Sequence, residues 1–155
     1  MGERPWYDDA SVPLLLREAR DVYRDTVRRA LDDAGCDDVP RNAALVLASL
    51  DRSSPEAEFS PQADVVASLR LSKQAASQVI DTLVLREYLE RRNDPVDRRR
   101  MEVRLTARGR TAASAIRSAI DGIDATLAAL VTVEELHGLR AGLGAFRVIR
   151  EHSGD

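Results

Sequence analysis

The stretch LSKQAASQVIDTLVLREYLERRNDPVDRRRMEVRLTARG, residues 71–109, changes its hydrophobic period in the middle, and that change decides the fold. Ser72 is placed to cap a helix. Behind it Ala76, Val79, Ile80 and Leu83 recur at helical spacing, while Lys73, Gln74, Ser77, Gln78 and Asp81 fall on the opposite face. From Tyr88 to Arg92 the pattern is that of a strand, and NDPVDRR, residues 93–99, is rich in turn formers. Met101, Val103 and Leu105 then alternate with Glu102 and Arg104. Period-2 alternation on both sides of a proline-containing tip predicts a β-hairpin.

Working outward, Ser60-Pro61 reads as a second helix start, a hydroxyl cap followed by a ring that needs no donor. The short helix it opens carries Val65, Val66 and Leu69, and two short helices in tandem make a helix-turn-helix. With the hairpin this is a winged helix. A further helix is predicted from about Arg41 to Leu50, with Pro40 at its first turn, and residues 51–59 read as a loop. A long amphipathic helix runs from Val12 to a stop at Gly35. After Thr106 the helical period returns through Ala112, Ile116, Ile120 and Leu127 to Leu130. Thr132 with Glu135 forms a capping box for a last helix bearing Leu136, Leu139, Leu143, Phe146 and Ile149. The fold class is mainly α with a small β-hairpin wing: a winged helix-turn-helix plus N- and C-terminal dimerisation helices. A single domain, 1–155, is expected, with a winged lobe at about 40–108 and dimerisation helices at about 11–35 and 109–150. The outer helices need an apolar partner, and a second copy of the chain supplies one.

The whole sequence has 155 residues, 44% of them hydrophobic and 32% charged, which suits one folded domain. Its net charge of -3 speaks at first against a nucleic-acid partner. The charge is unevenly spread, however. Residues 70–110 hold 11 basic and 6 acidic side chains, net +5, which leaves -8 on the remainder. Positive charge concentrated on a winged helix is the electrostatic footprint of a DNA-binding face. Only 4% of residues are aromatic, too few for a stacking platform that binds single strands. No apolar run is long enough to span a bilayer and no apolar signal core follows the N-terminus, so a cytoplasmic protein without membrane contact is expected. The lone Cys36 excludes an internal disulfide.

DRRRMEVRLTARG, residues 97–109, resembles the wing signature of the MarR family of bacterial transcription regulators: Asp, any residue, Arg, five residues, Leu-Thr, two residues, Gly. Asp97, Arg99, Leu105, Thr106 and Gly109 occupy its anchor positions, and SKQAASQVIDTL has the character of the family's recognition helix. The resemblance implies a homodimer, a repressor of nearby genes, and release from DNA when a small, often aromatic, ligand binds. One departure stands out. The family usually has Gly at the end of the recognition helix, where Glu87 stands here. Either Glu87 accepts a left-handed backbone, which costs about 1 kcal/mol, or the helix ends differently and the wing is re-aimed.

The chemistry of the residues agrees with that resemblance. Lys73 and Gln74, with Ser77 and Gln78, offer ammonium, amide and hydroxyl groups to base edges of a major groove, and Ser72 suits a phosphate oxygen. Arg99 suits a narrow minor groove, with Arg98 and Arg100 on phosphates. Asp97 is expected to hold an arginine and so orient the wing. The expected partner is double-stranded DNA carrying a pseudo-palindromic operator, its half-sites about one helical turn apart. Tyr23, Phe59 and Arg17, with Trp6 and Tyr7, are candidates to line a ligand crevice, although core packing also explains Tyr23 and Phe59. Cys36 lies at the end of the first helix, whereas the peroxide-sensing branch of the family has its cysteine near the start. His137 and His152 have no ligand-spaced neighbours, so no metal or cofactor is expected. No nucleophile-base pair or phosphate loop appears, which argues against an enzyme. The competing reading is a winged-helix protein-interaction module that has lost DNA binding; the retained Asp97 and Arg99 speak against it.

Overall fold

The structure, a computed structural model, describes residues 5–53, 58–68 and 72–152. Its elements are α1 (Val12–Asp33), α2 (Ala44–Ser53), β1 (Ser60–Pro61), α3 (Gln62–Ser68), α4 (Lys73–Leu85), β2 (Leu89–Asn93), β3 (Met101–Leu105), α5 (Ala107–Leu130) and α6 (Val133–His152). A 3₁₀ turn at Trp6–Asp9 precedes α1. The fold is mainly helical with a small antiparallel sheet, a winged helix-turn-helix flanked by long helices. The chain forms two compact units, Met1–Ile120 and Asp121–Asp155.

Local chemistry explains most helix ends. Gly35 takes φ +68 after α1, and the amides of Gly35 and Cys36 bond back to Asp32 and Leu31 (3.0 and 2.8 Å), so this glycine closes the helix. Ser72 caps α4 by accepting the Ala75 amide at 3.2 Å. Thr132 and Glu135 exchange the two bonds of a capping box, at 2.8 and 3.2 Å, to start α6.

Four boundaries differ from the expectation. Pro40 begins a turn, closed by the Ala43 amide on its carbonyl at 2.9 Å, and α2 starts only at Ala44. That helix then runs on to Ser53, into the segment expected to be a loop. Ser60-Pro61 is a short strand rather than a cap: Ser60 pairs with Val103 and Pro61 with Glu102, and α3 opens at Gln62. The sheet order is β1-β3-β2, so β1 is an edge, where a proline's missing N–H is tolerated. Tyr88 belongs to the turn before β2, which begins at Leu89. Leu69, expected on α3, lies outside the described residues.

All the buried hydrophobic residues lie in the first unit. Leu47 and Leu50 from α2 and Val65 from α3 join Ile80 and Leu83 from α4. Tyr88, Val103 and Leu105 close the sheet side, and Ala112, Ala113 and Ile116 carry the core onto α5. In the second unit α6 buries nothing. Leu139, Leu143, Phe146 and Ile149 are 43–58% exposed and recur at helical spacing along one stripe.

Candidate nucleic-acid interface

The N-terminal half of α4 and the wing frame a common cleft. Lys73, Gln74 and Gln78 are exposed and Ser77 is half-exposed, because Ala76, Val79, Ile80 and Leu83 take the opposite face into the core. Lys73 and Ser77 line a cleft of about 750 Å³ together with Arg99 and Arg100 of the wing and Asp64 of α3. Gln74, Gln78 and Arg98 are exposed but do not line it, and the exposed Ser72 accepts the Ala75 amide as a cap, which leaves its hydroxyl proton to donate.

The wing tip is held in place by its own side chains. Asp94 accepts the amides of Val96 and Asp97 at 2.7 and 3.1 Å, and those bonds keep its carboxyl below the usual range. Asn93 donates to the Arg98 carbonyl at 2.8 Å. Asp97 accepts the Arg99 amide at 3.1 Å and pairs with the Arg100 guanidinium at 3.3 Å. Asp97 is thus placed to fix the backbone under Arg99, and the arginine it holds is Arg100.

The basic residues of the region fall into two groups. Those on the strands and at the base are engaged: Arg91 with Asp81, Arg92 with Glu102, Arg104 with Glu90 and Arg108 with Asp38. Arg92 and Arg104 also cover the ring of Phe59, at 3.7 and 4.4 Å from its centroid. The side chains of Lys73, Arg98 and Arg99 have no ion-pair partner within 4.0 Å among the described residues. Positive charge without an ion pair therefore sits on the start of α4 and at the wing tip, and also on Arg86 and Arg110, which donate to the backbone carbonyls of Asp38 and Leu105.

A joint at the base sets how α4 meets the wing. Glu87 has φ +61, alone among the described residues other than glycine, and so accepts the left-handed backbone. Its amide bonds to Val84 O (3.0 Å) and that of Tyr88 to Leu83 O (2.9 Å), the bonding pattern of a glycine-terminated helix. Thr106 supports the joint by donating to the Glu87 carbonyl at 2.6 Å and accepting the Gly109 amide at 2.9 Å. Beneath it the buried Tyr88 donates its hydroxyl to Asp38, which also receives Arg108 at 2.9 Å. The Tyr88 bond, with help from Arg108, holds the Asp38 carboxyl below the usual range, while burial and then Asp38 push the Tyr88 hydroxyl up. Asp38, Tyr88 and Arg108 were not foreseen from sequence; the contacts span 50 and 70 positions, and no local pattern signals them.

The crevice candidates are dispersed. Tyr23 lines a second cavity, of about 840 Å³, with Val27, Leu31, Val39 and Ile120 as floor and Arg20, Arg24, Arg28 and Arg41 around it. Phe59 lies on the wing sheet under its two arginines, and Arg17 is not among the cavity residues. Trp6 and Tyr7 pack edge to face on each other, 6.0 Å apart. Cys36 is buried, its thiol 3.6 Å from the Ala34 carbonyl. Among the described residues no cluster of three metal-ligating side chains occurs, and no helix is long and apolar enough to cross a membrane.

A sequence model of the MarR family matches residues 37–100. Curated protein sequences yield no match. Among solved structures, the MepR–DNA complex from S. aureus superposes with a TM-score of 0.73 at 20% identity, over 90% of this chain and 98% of that one. MepR bound to ethidium bromide gives 0.56 at 20% identity, over 91% and 97% of the two chains. A probable transcriptional regulator from Pseudomonas aeruginosa gives 0.64 at 24% identity, over 89% and 98%. At these identities the likeness is one of fold.

Proposed function

We propose that the chain, whose residues 37–100 match a MarR-family model, is a homodimeric, sequence-specific binder of double-stranded DNA that represses transcription and is released by a small ligand. The observation that carries the reading is the cleft in which Lys73 and Ser77 of α4 face Arg99 and Arg100 of the wing. A helix start carrying Lys73, Gln74, Ser77 and Gln78 suits base edges of a major groove, with Ser72 near phosphate. One hairpin length away, Arg99 suits the minor groove and Arg98 and Arg100 its phosphates. Asp97 preorganises that contact through the Arg99 amide and the Arg100 side chain. MepR, which shares the fold, has been captured on DNA.

The dimer is supported by α6, on which Leu139, Leu143 and Phe146 stay 43–45% exposed along one stripe. Two copies related by a two-fold axis would read a pseudo-palindrome. Relief by ligand is supported by the second cavity. Its apolar residues beside Tyr23 suit an aromatic ring, and MepR has been captured with the aromatic ethidium. Phe59 and Arg17 are left out of this site.

The test is selection of duplexes from genomic fragments by the full chain, followed by competition against random DNA. A recovered inverted repeat, bound in preference to random sequence, supports the reading. Recovery without sequence preference, or no complex at all, contradicts it.

A further inference from the structure

Arg28 stands on α1 and lines the second cavity. Its guanidinium pairs with Asp32 on its own helix and donates to two backbone carbonyls, those of Asp37 and, at 3.2 Å, Val39. It therefore clasps the chain on either side of Asp38. Asp38 in turn holds the far end of α4. Its carboxylate takes the Tyr88 hydroxyl and Arg108, and its carbonyl takes the Arg86 guanidinium. Arg86 and Tyr88 flank the left-handed Glu87, so these contacts grip the joint from both sides. The partners are 48 to 70 positions away in sequence, which means that Asp38 is a tie between distant segments and not a local cap.

We infer that Asp38 is a positioning residue for DNA recognition, fixing the angle between α4 and the wing, and that Arg28 makes its hold depend on what occupies the cavity. The inference rests on the DNA-binding reading above and deepens it. An anionic or hydrogen-bond-accepting ligand that draws Arg28 away from the Asp37 and Val39 carbonyls loosens residues 37–39. The Asp38 carboxylate then loses its alignment on Tyr88 and Arg108, and the joint at 86–88 gains freedom. Every contact needed lies within the first compact unit. Coupling of this kind travels through one small element with two arrangements, the 37–39 segment clasped or free.

The test uses the full chain with Arg28→Gln, Asp38→Asn and Tyr88→Phe, the last removing a single hydroxyl if the others prove hard to fold. Amide hydrogen exchange at Glu87 and Tyr88 is read beside that of Val79 and Ile80 in the middle of α4. In each variant exchange at 87–88 rises about tenfold, as expected for losing one charge-assisted hydrogen bond, while 79–80 stay unchanged. The Arg28→Gln/Asp38→Asn double variant goes no further than either single change, because both act on one tie. Preference for the selected duplex over random DNA falls about tenfold with an unchanged salt slope. An unresponsive 87–88 joint, or effects of Arg28 and Asp38 that simply add, overturns the inference. If the joint responds but the native chain forms no DNA complex, it is the DNA-binding reading that fails.

Discussion

A Cβ on residue 109 would stand 2.0 Å from the carbonyl oxygen of Tyr88. The first turn of α5 thus lies against the α4–β2 joint with room for hydrogen only, and Leu105 and Thr106 complete the same contact. The Leu-Thr-x-x-Gly part of the wing signature is therefore a requirement of packing. Thr106 bonds across to Glu87 and caps the Gly109 amide, and Gly109 permits the approach. Gly109→Ala must push the helix off the joint, and an overpacked site of this kind costs on the order of 1–3 kcal/mol. Urea unfolding of the variant should show a midpoint lowered by that amount, with the slope preserved.

Glu87→Gly is expected to act in the opposite direction. Glu87 holds φ +61 without the freedom of glycine, at a cost of about 1 kcal/mol. Replacing it should stabilise the fold by up to that amount in the same unfolding measurement, and leave DNA preference intact because the joint keeps its geometry.

Acid should expose the Tyr88–Asp38 bond. Asp38 is depressed in the folded chain, first by the Tyr88 hydroxyl and then by Arg108. Its contribution is therefore fully present above the unfolded value of about 3.9 and is lost as pH falls through the lower folded value. Tyr88→Phe removes the main cause, so the Asp38 carboxyl titrates closer to its ordinary position. An NMR titration of Asp38 should show that upward move, and the stability gap between native and variant should narrow as pH falls below the unfolded value of about 3.9. A gap that stays constant down to pH 2 would contradict the assignment.

How much of this was legible beforehand depends on range. Ser72, Gly35 and the Thr132–Glu135 pair act on residues within a turn or two of themselves, and each stands where its local chemistry predicts. Which face of α4 is exposed followed from periodicity alone, since Ala76, Val79, Ile80 and Leu83 are all buried. Ser60-Pro61 misled because a cap followed by proline and an edge strand ask the same of the chain, a residue without a donor. The choice between them is made by the free edge of β3, some forty positions later. Pro40 misled more simply, by opening a turn and not a helix. Asp38 gave no signal, for its partners come from α4, the joint and α5. Phe59 is an aromatic residue in a loop by sequence, and only the pairing of β1 with the sheet brings it beneath Arg92 and Arg104.

The half-exposed stripe of α6 makes a separate prediction about assembly. Leu143 and Phe146 are each about half-exposed on a helix that buries nothing, so a charge there leaves the core untouched. Phe146→Glu should weaken self-association at least tenfold, about 1.4 kcal/mol, in sedimentation equilibrium, with unaltered helicity. A variant that sediments like the native chain would remove α6 from the dimer.

The most direct test of DNA recognition is the salt dependence of binding for the native chain and Arg99→Ala on one selected duplex, followed by anisotropy. Lys73, Arg98 and Arg99, without an ion-pair partner among the described residues, predict a steep linear fall of log affinity with log salt in the native chain. Arg99→Ala should bind the same duplex more weakly by about 1–3 kcal/mol, with a slope shallower by about one. Equal affinities and equal slopes for the two proteins would contradict the assignment of the wing as a DNA-reading element.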